Sequence, residues 1–129
     1  MEPEDCRYTK EHEWIRVQGE EGVVGITDYA QHQLGDVVFV ELPAIGRHLD
    51  KGEAFGVVES VKSVADLYAP VAGTVLAVNE TLAAAPEEVN HSPYDEGWMV
   101  RMRVDRAAEV EALMDAAAYA AHVKAEGGA

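Results

Sequence analysis

Short apolar runs broken by glycine- and proline-marked turns recur along this chain roughly every eight to twelve residues, and this spacing constrains the fold more than any other feature. Trp14-Ile-Arg-Val-Gln18 and Val23-Val-Gly-Ile26 read as two strands joined through Gly19-Glu-Glu-Gly22. Val37-Val-Phe-Val-Glu41 is a third, stopped by Pro43 and a turn at Gly46. A turn at Lys51-Gly52 leads into Ala54 to Glu59, a tight connection follows, and Ser63 to Tyr68 runs back. Ala69-Pro70 breaks the chain, Gly73-Thr-Val-Leu-Ala-Val78 resumes as strand, and Trp98 to Val104 alternates in period two. So many short strands specify a mainly β architecture, a small β-sandwich or flattened barrel.

Helix is confined to the connections and the end. Thr27 or Asp28 is placed to cap a short helix that Gly35 closes. Asn79 to Gly97 is polar, carries Pro86, Pro93 and Gly97, and reads as a long loop with at most a short helix around Glu87. Ala107 to Met114 reads as helical, Asp115 caps a second stretch through Lys124, and Gly127-Gly128 ends it. Val110, Leu113, Met114 and Ala117 share one helical face, expected to pack on the sheets. Gly35-Asp-Val-Val-Phe-Val and Gly73-Thr-Val-Leu-Ala-Val weakly echo each other and suggest paired half-domains. At 129 residues a single domain is expected, with its core in about 7–104 and a helical segment in about 106–125.

The net charge of −14, from 24 acids against 10 bases, opposes nucleic acid and anionic membrane surfaces; it steers the chain toward basic clefts on partner proteins or serves only to keep it soluble. No apolar run could span a bilayer, and Met1-Glu-Pro-Glu-Asp-Cys-Arg lacks the apolar core of a secretory signal. A single cysteine excludes an internal disulfide and suits a reducing cytoplasm. Cys6 itself is expected to be incidental, in a frayed polar terminus.

No enzyme constellation emerges. Gly19, Gly22 and Gly25 lack the strand-to-helix setting of a nucleotide-binding loop, and Ser60 and Ser63 have no identifiable base. His12, His32, His48, His91 and His122 are scattered without a zinc-specifying spacing, so no metal is expected. Lys62 stands apart. In Glu59-Ser-Val-Lys-Ser63 it occupies the tip of a hairpin among small neighbours, where a large enzyme could reach and acylate its amine. A rigid base with a long tether is what a swinging carrier needs.

Tyr8-Thr-Lys-Glu-His-Glu-Trp14, Val24-Gly-Ile-Thr-Asp-Tyr-Ala-Gln31, Leu34-Gly-Asp-Val-Val-Phe-Val-Glu-Leu-Pro43 and Phe55-Gly-Val-Val-Glu-Ser-Val-Lys-Ser-Val64 resemble the H protein of the glycine cleavage system. Leu67-Tyr-Ala-Pro70, Val89-Asn90, Ser92-Pro-Tyr94 and Gly97-Trp98 extend the resemblance over about residues 7–123. It implies a lipoyl-domain-like barrel-sandwich hybrid that carries lipoic acid in amide linkage on Lys62 and catalyses nothing itself. It further implies, as partners, a pyridoxal-phosphate glycine decarboxylase that loads an aminomethyl group and a tetrahydrofolate-dependent aminomethyltransferase that removes it. Dihydrolipoamide dehydrogenase, with FAD and NAD, would reoxidise the arm, and a lipoate ligase or lipoyl/octanoyl transferase would install it. Glu13 and Asp66 match positions that can hold the amine of the loaded arm. Where this chain has Gln33 some members carry histidine, so a titrating contact there is not expected. A cytoplasmic monomer fits this reading. Lipoyl domains of 2-oxo acid dehydrogenases and biotin carrier domains share the fold but set the lysine in Asp-Lys-Ala or Met-Lys-Met. A scaffold that only relays lipoyl groups would carry the same lysine, and a small hydrolase ranks last.

Overall fold

The computed structural model describes residues 2–127. Alternation in Glu13–Ile26 makes a hairpin of β2 (Glu13–Gln18) and β3 (Glu21–Ile26), paired from Glu13↔Ile26 to Gln18↔Glu21. The turn is therefore Gly19-Glu20 alone, and Glu21 and Gly22 belong to the strand. Trp14 and Ile15 point to opposite faces, as successive strand residues must, and enter two different cores.

The hairpin belongs to a six-stranded antiparallel sheet ordered β1-β2-β3-β9-β8-β5, with β1 (Arg7–Tyr8), β5 (His48–Leu49), β8 (Gly73–Val78) and β9 (Val100–Val104). A second sheet of three strands is ordered β4-β6-β7, from β4 (Val37–Glu41), β6 (Ala54–Ser60) and β7 (Val64–Tyr68). Ile15, Val24, Val75 and Met102 from the first sheet and Val40, Phe55, Val58 and Leu67 from the second share one core. The architecture is the expected β-sandwich. The two echoing segments become β4 and β8, in different sheets.

Helix α1 (Asp28–Leu34) is capped by Thr27, whose Oγ1 accepts from Ala30 N, and closed by Gly35 at φ +81°, where a side chain would be strained. Asp115 caps α5 (Ala116–Ala125) by accepting from Ala118 N at 2.9 Å.

Five expectations need correction. Strands β1 and β5 were not expected, since two residues carry no alternation. The segment Asn79–Gly97 holds the short helix expected around Glu87, α3 (Glu88–His91), and a second that was not expected, α2 (Thr81–Ala84), with Val89 and Leu82 each burying an apolar side chain in the core. The strand expected from Trp98 begins at Val100. Helix α4 (Ala107–Glu111) stops short of Met114, whose backbone N and O instead exchange hydrogen bonds with Tyr8 at 3.1 and 2.9 Å. Ala117 is consequently exposed, while Tyr119 and Val123 face inward. Gly128 of the expected terminating pair lies outside the described residues.

The fifth correction is Cys6. It is 3% exposed in a second core with Tyr8, Trp14, Tyr119 and Val123, between β1–β2 and α5. Burial pushes its thiol pKa up to about 12. The adjoining chain is fixed by Arg16 Nε donating to Asp5 at 2.9 Å, so this terminus is not frayed at Cys6.

Candidate functional site

Strands β6 and β7 pair from Ala54↔Tyr68 to Glu59↔Val64, leaving Val61, Lys62 and Ser63 to make the turn. Ser60 explains why a small hydroxyl residue opens that turn. Its Oγ accepts from Ser63 N at 3.0 Å and Lys62 N at 3.3 Å, and Ser60 N donates to Ser63 O at 2.8 Å. Val61 N donates to Asp36 O at 3.0 Å, so the tip also leans on the residue before β4. Lys62 is exposed on this braced turn. Its stem passes Gly35, where an added Cβ would stand 3.5 Å from Lys62 Cε. Val61 and Val64 beside it are 76% and 66% exposed, and Phe39, in the same cross-strand row as Glu59 and Val64, is 49% exposed.

At the other end of the hairpin, about 20 Å along the strand at the usual rise per residue, lies a cleft of about 310 Å³ lined by Thr9, Glu13, Lys51, Tyr68, Pro70 and Leu113 among others. Glu13 is 2% exposed there. Thr9 Oγ1 donates to Glu13 Oε1 at 2.6 Å, and Tyr68 N donates to Oε2 at 3.2 Å. Desolvation outweighs those hydrogen bonds and pushes the carboxyl pKa up to about 7. A buried carboxyl poised near neutrality can take or release a proton when a cationic group arrives.

The expected site residues are therefore not all gathered. Glu13 lines the cleft, Asp66 is exposed on β7 two residues from Tyr68 and outside the lining, and Lys62 stands at the opposite end of the hairpin. Gln33 is exposed on α1. Family-model comparison settles the kinship: residues 6–126 match the model of the glycine cleavage H-protein. The chain belongs to that family. It is similar to the glycine cleavage system H protein of Anaeromyxobacter sp. (strain K), 58% identical over 122 residues and 95% of both chains. It is also similar to the H protein of Symbiobacterium thermophilum, 57% identical over 122 residues with the same coverage. The crystal structure of the H protein from Mycobacterium marinum superposes with a TM-score of 0.84 at 36% identity, covering 97% of this chain and 98% of that one.

Two features of this H-protein family member escaped the sequence reading. Thr9 Oγ1 donates to the Glu13 carboxylate and accepts from Glu13 N, a local turn that no periodicity announces. The histidines also differ from one another. His32, His48 and His91 are exposed beside carboxylates, whereas His12 and His122 converge on Glu126. His122 and Glu126 are four apart on α5, a spacing that brings side chains together on a helix, but His12 lies far away in sequence. Among the described residues no helix is long and apolar enough to cross a membrane.

Proposed function

We propose that this chain is the lipoyl carrier of glycine cleavage, a single domain bearing lipoic acid in amide linkage on Lys62 Nζ and working in the cytoplasm. The observation that carries the reading is an exposed lysine on a hairpin tip made rigid by Ser60, in a chain of the H-protein family. Lys62 fits the group. Its amine end is free of the ion pairs found among the described residues, and acylation neutralises its charge. Held there, the group would supply redox-active disulfide chemistry able to take up electrons and a one-carbon amine.

The protein's own residues present and protect that chemistry. Ser60 and Asp36 hold the tip in one place, and Val61, Val64 and Phe39 give partner enzymes an apolar rim to read. Glu13 accepts hydrogen bonds from a protonated amine entering the cleft, with one carboxylate oxygen held by Thr9 and the other by Tyr68 N. Asp66 adds negative charge along the path from the tip. The partners are the pyridoxal-phosphate decarboxylase, the tetrahydrofolate-dependent aminomethyltransferase, dihydrolipoamide dehydrogenase and the enzyme that installs the arm. The net charge of −14 speeds encounter with basic clefts on them. Catalysis stays with these partners: Ser60 Oγ, 3.3 Å from Lys62 N, is engaged by the turn itself.

The test is the intact mass after incubation with lipoate, ATP and a lipoate ligase, with Lys62→Ala alongside. One lipoyl increment on the wild type and none on the variant is the expected result. The loaded protein should then support glycine–bicarbonate exchange by the decarboxylase. An increment that survives Lys62→Ala would remove the attachment site, and lipoylated protein inert in the exchange would leave a scaffold.

A further inference from the structure

The side chains of His12, His122 and Glu126 lie together, on the flank of the molecule where the turn before β2 meets the last turn of α5. His12 Nε2 is 3.0 Å from Glu126 Oε1, and His122 Nε2 is 2.8 Å from Glu126 Oε2. The ligating atoms of the three residues all fall within 4.8 Å of one another. We propose that this is a binding site for one divalent late transition metal, Zn²⁺ in the first instance, held by both Nε2 atoms and the Glu126 carboxylate with water in the fourth position.

The donor set is right for such an ion, since two imidazoles and a carboxylate with an open position are a recurrent zinc arrangement. The spacing is nearly right too. Tetrahedral bonds of 2.0–2.1 Å set ligand atoms about 3.3 Å apart, and Glu126, at the frayable end of α5 with its side chain 39% exposed, is free to adjust.

The surroundings of His12 are those of a metal ligand. Its other ring nitrogen, Nδ1, is 2.8 Å from Tyr119 Oη, which is in turn 2.7 Å from Thr27 Oγ1. If Nδ1–H donates to Tyr119 and Tyr119 donates to Thr27, Nε2 is left with its lone pair toward Glu126. That is the tautomer a metal requires, and Tyr119 and Thr27 supply the second layer of hydrogen bonds that supports it. The ring is held from the side as well, its centroid 4.7 Å from that of Tyr29. His12 is also the only non-glycine with positive φ among the described residues, at +75°. The fold thus keeps this imidazole in place at a backbone cost. Lys10 O, 3.3 Å from His122 Nε2, is one more oxygen beside the site. A bound ion would tie the Thr9–His12 turn to α5, and the residue that follows the turn is Glu13.

The experiment uses the full chain without an affinity tag, stripped with EDTA. Zn²⁺ is titrated by calorimetry, and Co²⁺ by its visible absorption, into wild type, His122→Gln, Glu126→Gln, Tyr119→Phe and His48→Gln. We expect one ion per wild-type chain, with the intense cobalt bands of four-coordination. Affinity should fall at least about tenfold in the first two variants, also fall in Tyr119→Phe, and be unchanged in His48→Gln. Because His122 and Glu126 are at least partly exposed, those variants fold, and circular dichroism checks it. A one-to-one site that survives both substitutions would overturn the proposal. So would wild-type binding as weak and multiple as that of His122→Gln.

Discussion

Replacing Glu13 by Gln isolates the buried carboxyl from every other titrating group. The amide is nearly isosteric with the protonated acid, and both polar atoms keep partners: Oε1 of the glutamine can accept from Tyr68 N while its NH₂ donates to Thr9 Oγ1. What the variant lacks is the ionised form. Burial lifts the Glu13 pKa from 4.5 in the unfolded chain to about 7 in the folded one. Between those values the folded state binds more protons than the unfolded state, so stability must fall as pH rises. At 1.36 kcal/mol per pKa unit the whole loss is about 3 kcal/mol. It is absent below pH 4.5 and complete once pH has passed the folded pKa. Urea unfolding of both proteins at half-unit steps from pH 4.5 to 8.5 gives the difference curve, in which all shared titrations cancel. The variant should gain on the wild type by about 3 kcal/mol across that range, most steeply between pH 5 and pH 7. A flat difference, or one of opposite slope, would refute the claim that desolvation dominates this carboxyl.

Three further outcomes follow from packing. Cys6 should alkylate with iodoacetamide at pH 8 at least about a hundredfold more slowly in the native protein than in urea, because its thiol is buried with a pKa pushed up to about 12; equal rates would restore a frayed terminus. Gly73→Ala and Gly56→Ala should each cost about 3 kcal/mol or more in urea midpoint analysis. A Cβ there would drive into Arg103 O and Glu41 O respectively, so unfolding at the wild-type midpoint would mean the strands are further apart than described. Trp14→Phe should cost about 2–4 kcal/mol, since Nε1 donates to Ile26 O at 2.9 Å and Pro93 O at 3.0 Å in the interior; a loss under about 1 kcal/mol would mean water reaches those carbonyls.

The sandwich and the lysine hairpin were legible because both rest on local signals. Alternation in Val100–Val104 and the serine-flanked turn at Lys62 need only a few neighbouring residues to be read. What could not be read depends on distant partners. Cys6 looks exposed until α5 is laid over it, and Tyr119, which completes that core, is separated from it by most of the chain. Met114 fits a helical pattern until Tyr8 claims its backbone. Periodicity also could not reveal that Glu13, on β2 of the other sheet, sits against the open end of the hairpin whose tip carries Lys62. His12 and Glu126 meet across a separation at which no motif spacing operates.

The way the two sheets end bears on how this protein behaves when it is crowded. A strand with unpaired backbone groups invites a second copy to extend the ladder. Here the six-stranded sheet finishes on both sides in strands of two residues, Arg7–Tyr8 and His48–Leu49, too short to template anything. On the smaller sheet the outer strands are Val37–Glu41 and Val64–Tyr68; the second carries Asp66, and its Tyr68 N–H is already taken by the Glu13 carboxylate. The same carboxyl that lines the cleft thus also occupies a backbone donor at that edge, so a second copy approaching there meets a charge and a donor already spent.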